Sequence, residues 1–340
     1  MSRHRVAIVG LGMALKPHIS SLEELADRVE IAACFTPSAE RRKAFAAISK
    51  HPVVDSLDGV LADRSIDIVL LLTPPTTHLD LVEKCADAGK HVLLEKPTDV
   101  TSERAAKAVV AMEKAGRKFA IMLQHRFRDA SRKLGAAVKN GELGALVSGS
   151  ASIRWWRPPE YFAQPGRGMK VRDGGGVLIT QAIHTLDLFQ SFTGPIAKVT
   201  GFTKTSPLRR IDTEDIASAA IEFTNGAVGT IDATTVAYPG FPERIELAGD
   251  KATAVLSAET LDIYFKDGRH VHHEGAVSKS GGADPMAFTN DAHNALIVDF
   301  LDAIDENREP TVSGRESLKV MRLIEAIQRS AADGKAVAIN

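Results

Sequence analysis

The sequence predicts an α/β domain with a parallel sheet, followed by a β-rich α+β domain with helices on one face. Three observations lead there. The first third alternates short apolar runs with helical patterns, as βαβ units do. After about Gln124 the rhythm changes to short strands joined by tight turns. The 340 residues also exceed the size at which a single core usually splits, so two domains are expected, at 1–124 and 125–340.

The elements follow in order. Residues 6–10 read as a strand, 16–27 as an amphipathic helix, 29–35 as a strand and 39–48 as a helix. Strands at 66–72, 91–95 and 118–123 alternate with helices at 78–88 and 102–115, the latter ended by Gly116. These strands are nearly continuous apolar runs, as expected where helices cover both faces of a sheet. In the second part, strands are predicted at 147–156, 197–204, 216–223, 227–236, 243–248 and 253–256. Asn225-Gly226 and Asp267-Gly268 are hairpin signals. One helix over 178–192 interrupts the strands, and helical patterns near 292–306 and 316–333 close the chain. The segment 278–283 (Ser-Lys-Ser-Gly-Gly-Ala) reads as a flexible loop.

Composition narrows the function. The chain is 44% hydrophobic and 25% charged, with 42 Lys plus Arg against 43 Asp plus Glu. Such balance argues against a nucleic-acid binder, which needs a concentrated basic face. No apolar run reaches the roughly 18 to 20 residues that span a bilayer. The two cysteines cannot build a disulfide framework, and the first strand leaves no room for a signal peptide. A cytoplasmic enzyme or binding protein with no membrane or nucleic-acid partner is the expectation.

Gly10-Leu11-Gly12-Met13-Ala14-Leu15 joins the first strand to the first helix. Two glycines there permit a tight turn and let backbone N–H groups approach a pyrophosphate at the helix N-terminus. The third position of this dinucleotide fingerprint carries Leu15 instead of Gly or Ala. The second strand ends without the carboxylate that usually binds a ribose 2′-hydroxyl. Thr36 and Ser38 stand there instead, with Arg41 and Arg42 close behind. NAD(P) is the expected cofactor, with NADP favoured over NAD; the arginines also read as a solvated helix face.

Leu93-Leu94-Glu95-Lys96-Pro97 ends a buried strand with an acid–base pair where parallel sheets place ligands. The phrase Ala88-Gly89-Lys90-His91-Val92-Leu93-Leu94-Glu95-Lys96-Pro97 closely resembles a motif of the Gfo/Idh/MocA oxidoreductases. So does the stretch from Asp173-Gly174-Gly175-Gly176 through His184 to Asp187-Leu188. Thr73-Pro74-Pro75-Thr76-Thr77-His78 is similar to the family loop that lines the nicotinamide side of the cofactor.

The resemblance implies a Rossmann domain plus an α+β domain with a large open mixed, mostly antiparallel sheet. It implies cofactor contacts from Gly10, Gly12, Met13, Thr36, Ser38, Arg41, Thr73, Pro74, His78, Glu95 and Lys96. Lys96 and His184 are carried over as catalytic residues: His184 as general base on the substrate hydroxyl, Lys96 as donor to the same oxygen. Thr180 stands where many members have Asp, which resembles the branch with nucleotide-sugar 3-dehydrogenases; the nearby Trp155-Trp156-Arg157 motif points the same way.

Arg126, Trp156, Thr180 and Gln181, with Lys96 and His184, are the expected substrate contacts. Arg126 reads equally as a tie between domains, and Asp187 either orients His184 or is an ordinary helix carboxylate. The expected activity is hydride transfer between nicotinamide and a secondary hydroxyl or ketone of a sugar, sugar derivative or cyclic polyol. Alternatives are glycoside cleavage through a transient redox cycle on tightly bound cofactor, and a non-enzymatic sugar sensor. His270, His272 and His273 suit an exposed strand, so no metal is expected. Packing of subunits through the open sheet, as the family does, implies a homodimer or homotetramer.

Overall fold

In the computed structural model, residues 3–164, 166–275 and 290–339 are described. The loop expected at 278–283 lies outside them. The chain divides into two compact units, Met1–Gln124 with Asn290–Leu318, and His125–Thr289 with Lys319–Asn340.

In the first unit, β1 (His4–Val9), α1 (Leu15–Glu24), β2 (Val29–Phe35), α2 (Ala39–Ala46), α3 (Leu57–Ala62) and β3 (Ile68–Leu71) follow one another. Then come α4 (His78–Asp87), β4 (His91–Leu94), α5 (Ser102–Lys114) and β5 (Phe119–Ile121). The five strands pair in parallel in the order β2-β1-β3-β4-β5. Every residue of β3 and β5 is buried, as is all of β4 except His91, because helices cover both sheet faces. The order reverses between β1 and β3, and such a switch point opens the ligand crevice at the carboxyl ends of the strands. Ser38, Ser56 and Thr101 accept N–H bonds at the starts of α2, α3 and α5. Helix α1 has no such side-chain cap.

The second unit opens with α6 (Asp129–Lys139), β6 (Leu146–Arg154), α7 (Pro159–Phe162) and α8 (Lys170–Asp173). The helix expected over 178–192 starts instead as a wide π turn, Leu178–Ala182, and continues as α9 (Ile183–Thr193). Then come β7 (Ile196–Lys204), β8 (Ile216–Phe223), β9 (Val228–Thr234), β10 (Arg244–Gly249), β11 (Ala252–Ser257), β12 (Thr260–Phe265) and β13 (His270–Glu274). The chain crosses the first unit again with α10 (Asp291–Asp305), enters α11 (Gly314–Asp333) and ends in β14 (Val337–Ala338).

The nine strands run β13-β12-β11-β10-β6-β9-β8-β7-β14, an open mixed sheet in which only β6 and β9 pair in parallel among the described residues. Period-two burial along β8 and β11 shows one covered face and one open face. Phe189 of α9 packs on the covered face against Phe223, ring centroids 5.9 Å apart, and both are fully buried. Gly149 of β6 makes room for them: a Cβ there would lie 3.2 Å from the Phe189 ring. The hairpin signals turn where expected, Gly226 at φ +84° and Gly268 at φ +91°.

Candidate active site

In the first unit, the expected cofactor residues gather at the switch point. Gly10 adopts φ +111°, and a Cβ on it would meet the Leu72 carbonyl oxygen at 2.6 Å. Glycine is therefore required by the close approach of two chain segments before any ligand is considered. At Gly12 a Cβ would find nothing within 4 Å. Beyond it Met13 is 54% exposed and the start of α1 carries no side-chain cap. Pro17 in the first turn of α1 lacks an N–H where an intrahelical bond is not required. An open glycine turn before an uncapped helix N-terminus fits a pyrophosphate, since the positive end of the helix dipole and backbone donors face outward there.

At the end of β2, Thr36 is buried and Ser38 spends its hydroxyl on the α2 cap, accepting from the Arg41 N–H at 3.2 Å. The Arg41 side chain stays exposed. Arg42, not Arg41, curls back, donating to the carbonyls of Thr36 (2.6 Å) and Pro37 (2.9 Å) over the Phe35 ring. After β3, Thr73 is half-buried and Pro74 exposed, and Thr77 donates to the Pro74 carbonyl at 2.8 Å.

Two of the expected cofactor residues, His78 and Glu95, make side-chain hydrogen bonds to the protein. His78 is 0% exposed, its ring nitrogens each 2.9 Å from a carbonyl oxygen, those of Thr73 and Pro97. Burial lowers its pKa despite those two carbonyls. It braces the 73–78 loop and the 95–97 loop from inside the fold. Glu95 is likewise committed to protein partners. Its Oε1 lies 2.9 Å from His18 Nε2, and its Oε2 accepts the Lys96 backbone N–H at 2.8 Å. Burial alone would raise its carboxyl, but the His18 hydrogen bond and the charges of His18, Lys96 and His293 outweigh it and bring the pKa to about 2. The carboxylate thus holds the backbone from which the half-buried Lys96 side chain departs.

His18, which the sequence reading missed, is fully buried on α1, edge-on to His293 of α10 with centroids 5.3 Å apart. Its only sequence trace is its spacing with the buried Leu15 and Leu22, one stripe of an amphipathic helix.

In the second unit, a separate group of expected residues gathers around the π turn. Thr180 donates its hydroxyl to the Gly176 carbonyl (2.7 Å) and also approaches Gln181 Oε1. Gln181 Nε2 donates to the Tyr161 hydroxyl at 3.1 Å. These side chains border a small cavity with Arg167 and Thr235. His184, one helical step on, is 8% exposed and stacks on His125, with centroids 4.8 Å apart and planes 27° apart. His125 sits on the short helical turn Gln124–Phe127 and was not anticipated.

Arg126 donates from Nε and Nη2 to the two Asp187 oxygens at 2.7 and 2.6 Å, a bidentate pair with side chains 10% and 1% exposed. The pair lies within the second unit, so it is not a tie between domains. Trp156 is half-buried, with the Arg209 guanidinium over its ring and Tyr238 edge-on at 5.6 Å. His270 and His272 of β13 share the Asp262 carboxylate, and no metal-binding group of three such residues occurs among the described residues.

Comparison with known proteins adds a family to this geometry. Residues 4–123 match the model of an oxidoreductase family with an NAD-binding Rossmann fold, and 131–255 match the GFO/IDH/MocA C-terminal domain. The structure is similar to that of the WlbA dehydrogenase from Bordetella pertussis in complex with NADH and UDP-GlcNAcA, with a TM-score of 0.85 and 29% identity over 100% of this chain and 99% of that one. The D-apiose dehydrogenase of Paraburkholderia graminis is 25% identical, over 99% of this chain and 90% of that protein. The inositol 2-dehydrogenase of Rhizobium meliloti is 24% identical, over 98% and 99% of the two chains.

Proposed function

The chain belongs to the Gfo/Idh/MocA oxidoreductase family, and on that premise we propose that it is an NAD(P)-dependent dehydrogenase. Its substrate is a sugar, sugar derivative or cyclic polyol, oxidised at a secondary hydroxyl or reduced at the matching ketone. The observation that carries the reading is His184. A nearly buried imidazole stacked on a second one, just beyond the π turn that carries Thr180 and Gln181, is a group able to accept and return a substrate proton. Bound NAD(P) supplies hydride transfer at its nicotinamide ring.

The protein does the rest. The Gly10–Gly12 turn and the start of α1 hold the pyrophosphate. Lys96, on a backbone fixed by Glu95, donates a hydrogen bond to the reacting oxygen and stabilises negative charge on it. His184 takes the hydroxyl proton in oxidation and returns it in reduction. Thr180 and Gln181 hold a neighbouring hydroxyl. Thr180 has no carboxyl to accept a proton, so His184 carries that step without an aspartate at this position. With no carboxylate at the end of β2 and the exposed Arg41 at the start of α2, NADP is the preferred form. The open face of the nine-stranded sheet, with exposed Phe202 and Val228, supports a homodimer or homotetramer.

The test is a panel of D-apiose, myo-inositol, levoglucosan and UDP-GlcNAcA with NAD or NADP, followed by near-ultraviolet absorbance of the reduced nicotinamide. Cofactor-dependent oxidation of one of them is expected. Cofactor binding without turnover of any panel member would remove the enzymatic reading in favour of a sensor. Bond cleavage without net absorbance change would favour a transient redox cycle.

A further inference from the structure

The triple glycine ahead of the catalytic helix has a partner in this fold. Glu214 lies in the segment just before β8, and its carboxylate and main chain close over residues 176–178. Its Oε2 accepts the Gly176 N–H at 3.1 Å and its Oε1 accepts the Leu178 N–H at 3.3 Å. Its backbone carbonyl accepts the Val177 N–H at 2.8 Å. Three consecutive N–H groups that a helix start leaves unsatisfied are thus taken by one residue. The fit explains the glycine: a Cβ on Gly176 would stand 1.8 Å from the Glu214 carbonyl oxygen and 2.6 Å from its carboxyl carbon.

The neighbours of Glu214 are pinned too. Thr213 donates to the Gly168 carbonyl at 2.8 Å, and Asp215 accepts from the Ser206 N–H (2.6 Å) and hydroxyl (2.7 Å). The clamp is therefore mounted on a rigid base. Burial pushes the Glu214 carboxyl above its usual range, against the pull of the N–H bonds, so the position accepts an acceptor oxygen at some cost.

From this geometry we infer that Glu214 is a positioning residue for the reaction: it sets the π turn on which Thr180 is held and the start of the helix from which His184 projects. The Gly176 carbonyl that takes the Thr180 hydroxyl belongs to the same residue whose N–H Glu214 holds. Release of the clamp frees the turn at residues 176–180, and with it the setting of Thr180 and His184. The inference rests on the dehydrogenase reading, yet the clamp is testable without a substrate.

The test uses the full-length protein. In Glu214→Ala, amide hydrogen exchange over residues 176–180 is expected to rise about tenfold or more, the local opening of a segment that has lost its partner. The carbon resonance of the His184 ring is expected to broaden or shift. NADH affinity should stay within about twofold, because the cofactor contacts are elsewhere. With the panel substrate that turns over, kcat should fall about tenfold, and Glu214→Gln, which keeps one acceptor oxygen for the two side-chain bonds, should recover part of it.

Gly176→Ala disturbs the clamp from the opposite side and should give the same pattern, with the double variant no worse than either single one. Unchanged exchange and an unchanged His184 resonance in Glu214→Ala would overturn the inference. So would equal loss in the Ala and Gln variants. A panel without turnover alongside altered exchange would count against the enzyme reading and leave the clamp supported.

Discussion

The pair of His18 and Glu95 yields a quantitative expectation. A buried carboxyl held at about 2, against its ordinary value of 4.5, favours the folded state by about 3 kcal/mol, at roughly 1.4 kcal/mol for each unit. The side chain is 15% exposed and that of His18 0%, so solvent screening takes little from this figure. The sign follows from a depressed folded value. The contribution is complete above pH 4.5 and is lost as pH falls from 4.5 toward 2.

His18→Phe preserves ring volume and the edge contact with His293 but deletes the hydrogen bond and the charge. Burial is then opposed only by the charges of Lys96 and His293, and the Glu95 carboxyl moves back up toward its ordinary value. The expected result is a loss of about 2–3 kcal/mol at pH 7. The acid-dependent part between pH 4.5 and 2 should flatten as well. Urea unfolding followed by circular dichroism across this range measures both. A variant within about 0.5 kcal/mol of the parent at pH 7, with the parent's acid profile, would refute the electrostatic account of the Glu95 loop.

Other expectations follow from the same geometry. Lys96→Met and His184→Ala should each lower kcat about 100-fold or more while NADH still binds, as fluorescence titration will show. Gly12→Val should leave the urea midpoint nearly unchanged, since its side chain enters open space, but weaken NADH binding at least about tenfold. Gly10→Ala should instead cost about 1–3 kcal/mol of stability, because both its φ and the Leu72 carbonyl oppose a side chain. Asp187→Asn should cost about 3–5 kcal/mol by leaving the Arg126 guanidinium without its bidentate partner, read by urea unfolding. Arg41→Ala should weaken NADP about tenfold and leave NAD unaffected in paired affinity titrations, if the 2′-phosphate sits at the start of α2.

Much of the fold was legible because burial imposes periods that residue order records. The uninterrupted Ile-Val-Leu-Leu of β3 and the alternation along β8 each state how many faces are covered. Boundaries moved by a few residues, as with the strand expected over 118–123, which is β5 over Phe119–Ile121. Helix α6 went unread; Gly135 interrupts its pattern, and in the fold that glycine faces the Phe192 ring, 3.6 Å from where a Cβ would stand. The π turn was invisible because nothing in Leu-Ile-Thr-Gln-Ala distinguishes a wide turn from an ordinary one.

The candidate site divides along a different line. Residues singled out by their chemistry in a short motif, Lys96 and His184 above all, stand out as letters. The residues that fix their backbones do not, because each acts across a long separation in the chain. His18 reaches Glu95 across 77 positions and Glu214 reaches Gly176 across 38. The side-chain partners of His78 and Glu95 were hidden for the same reason. A polar residue at a strand exit looks available from sequence, whereas here one is sealed between two carbonyls and the other is claimed by an imidazole.

A buried donor or acceptor left without its partner costs on the order of 1–3 kcal/mol, so the fold draws such groups inward to brace the loops. Lys96 leaves a loop braced in this way, and the proposed function places its ammonium on the reacting oxygen. The loss of catalysis without loss of cofactor binding in Lys96→Met is thus the expectation that separates a reacting side chain from the polar residues that merely hold it in place.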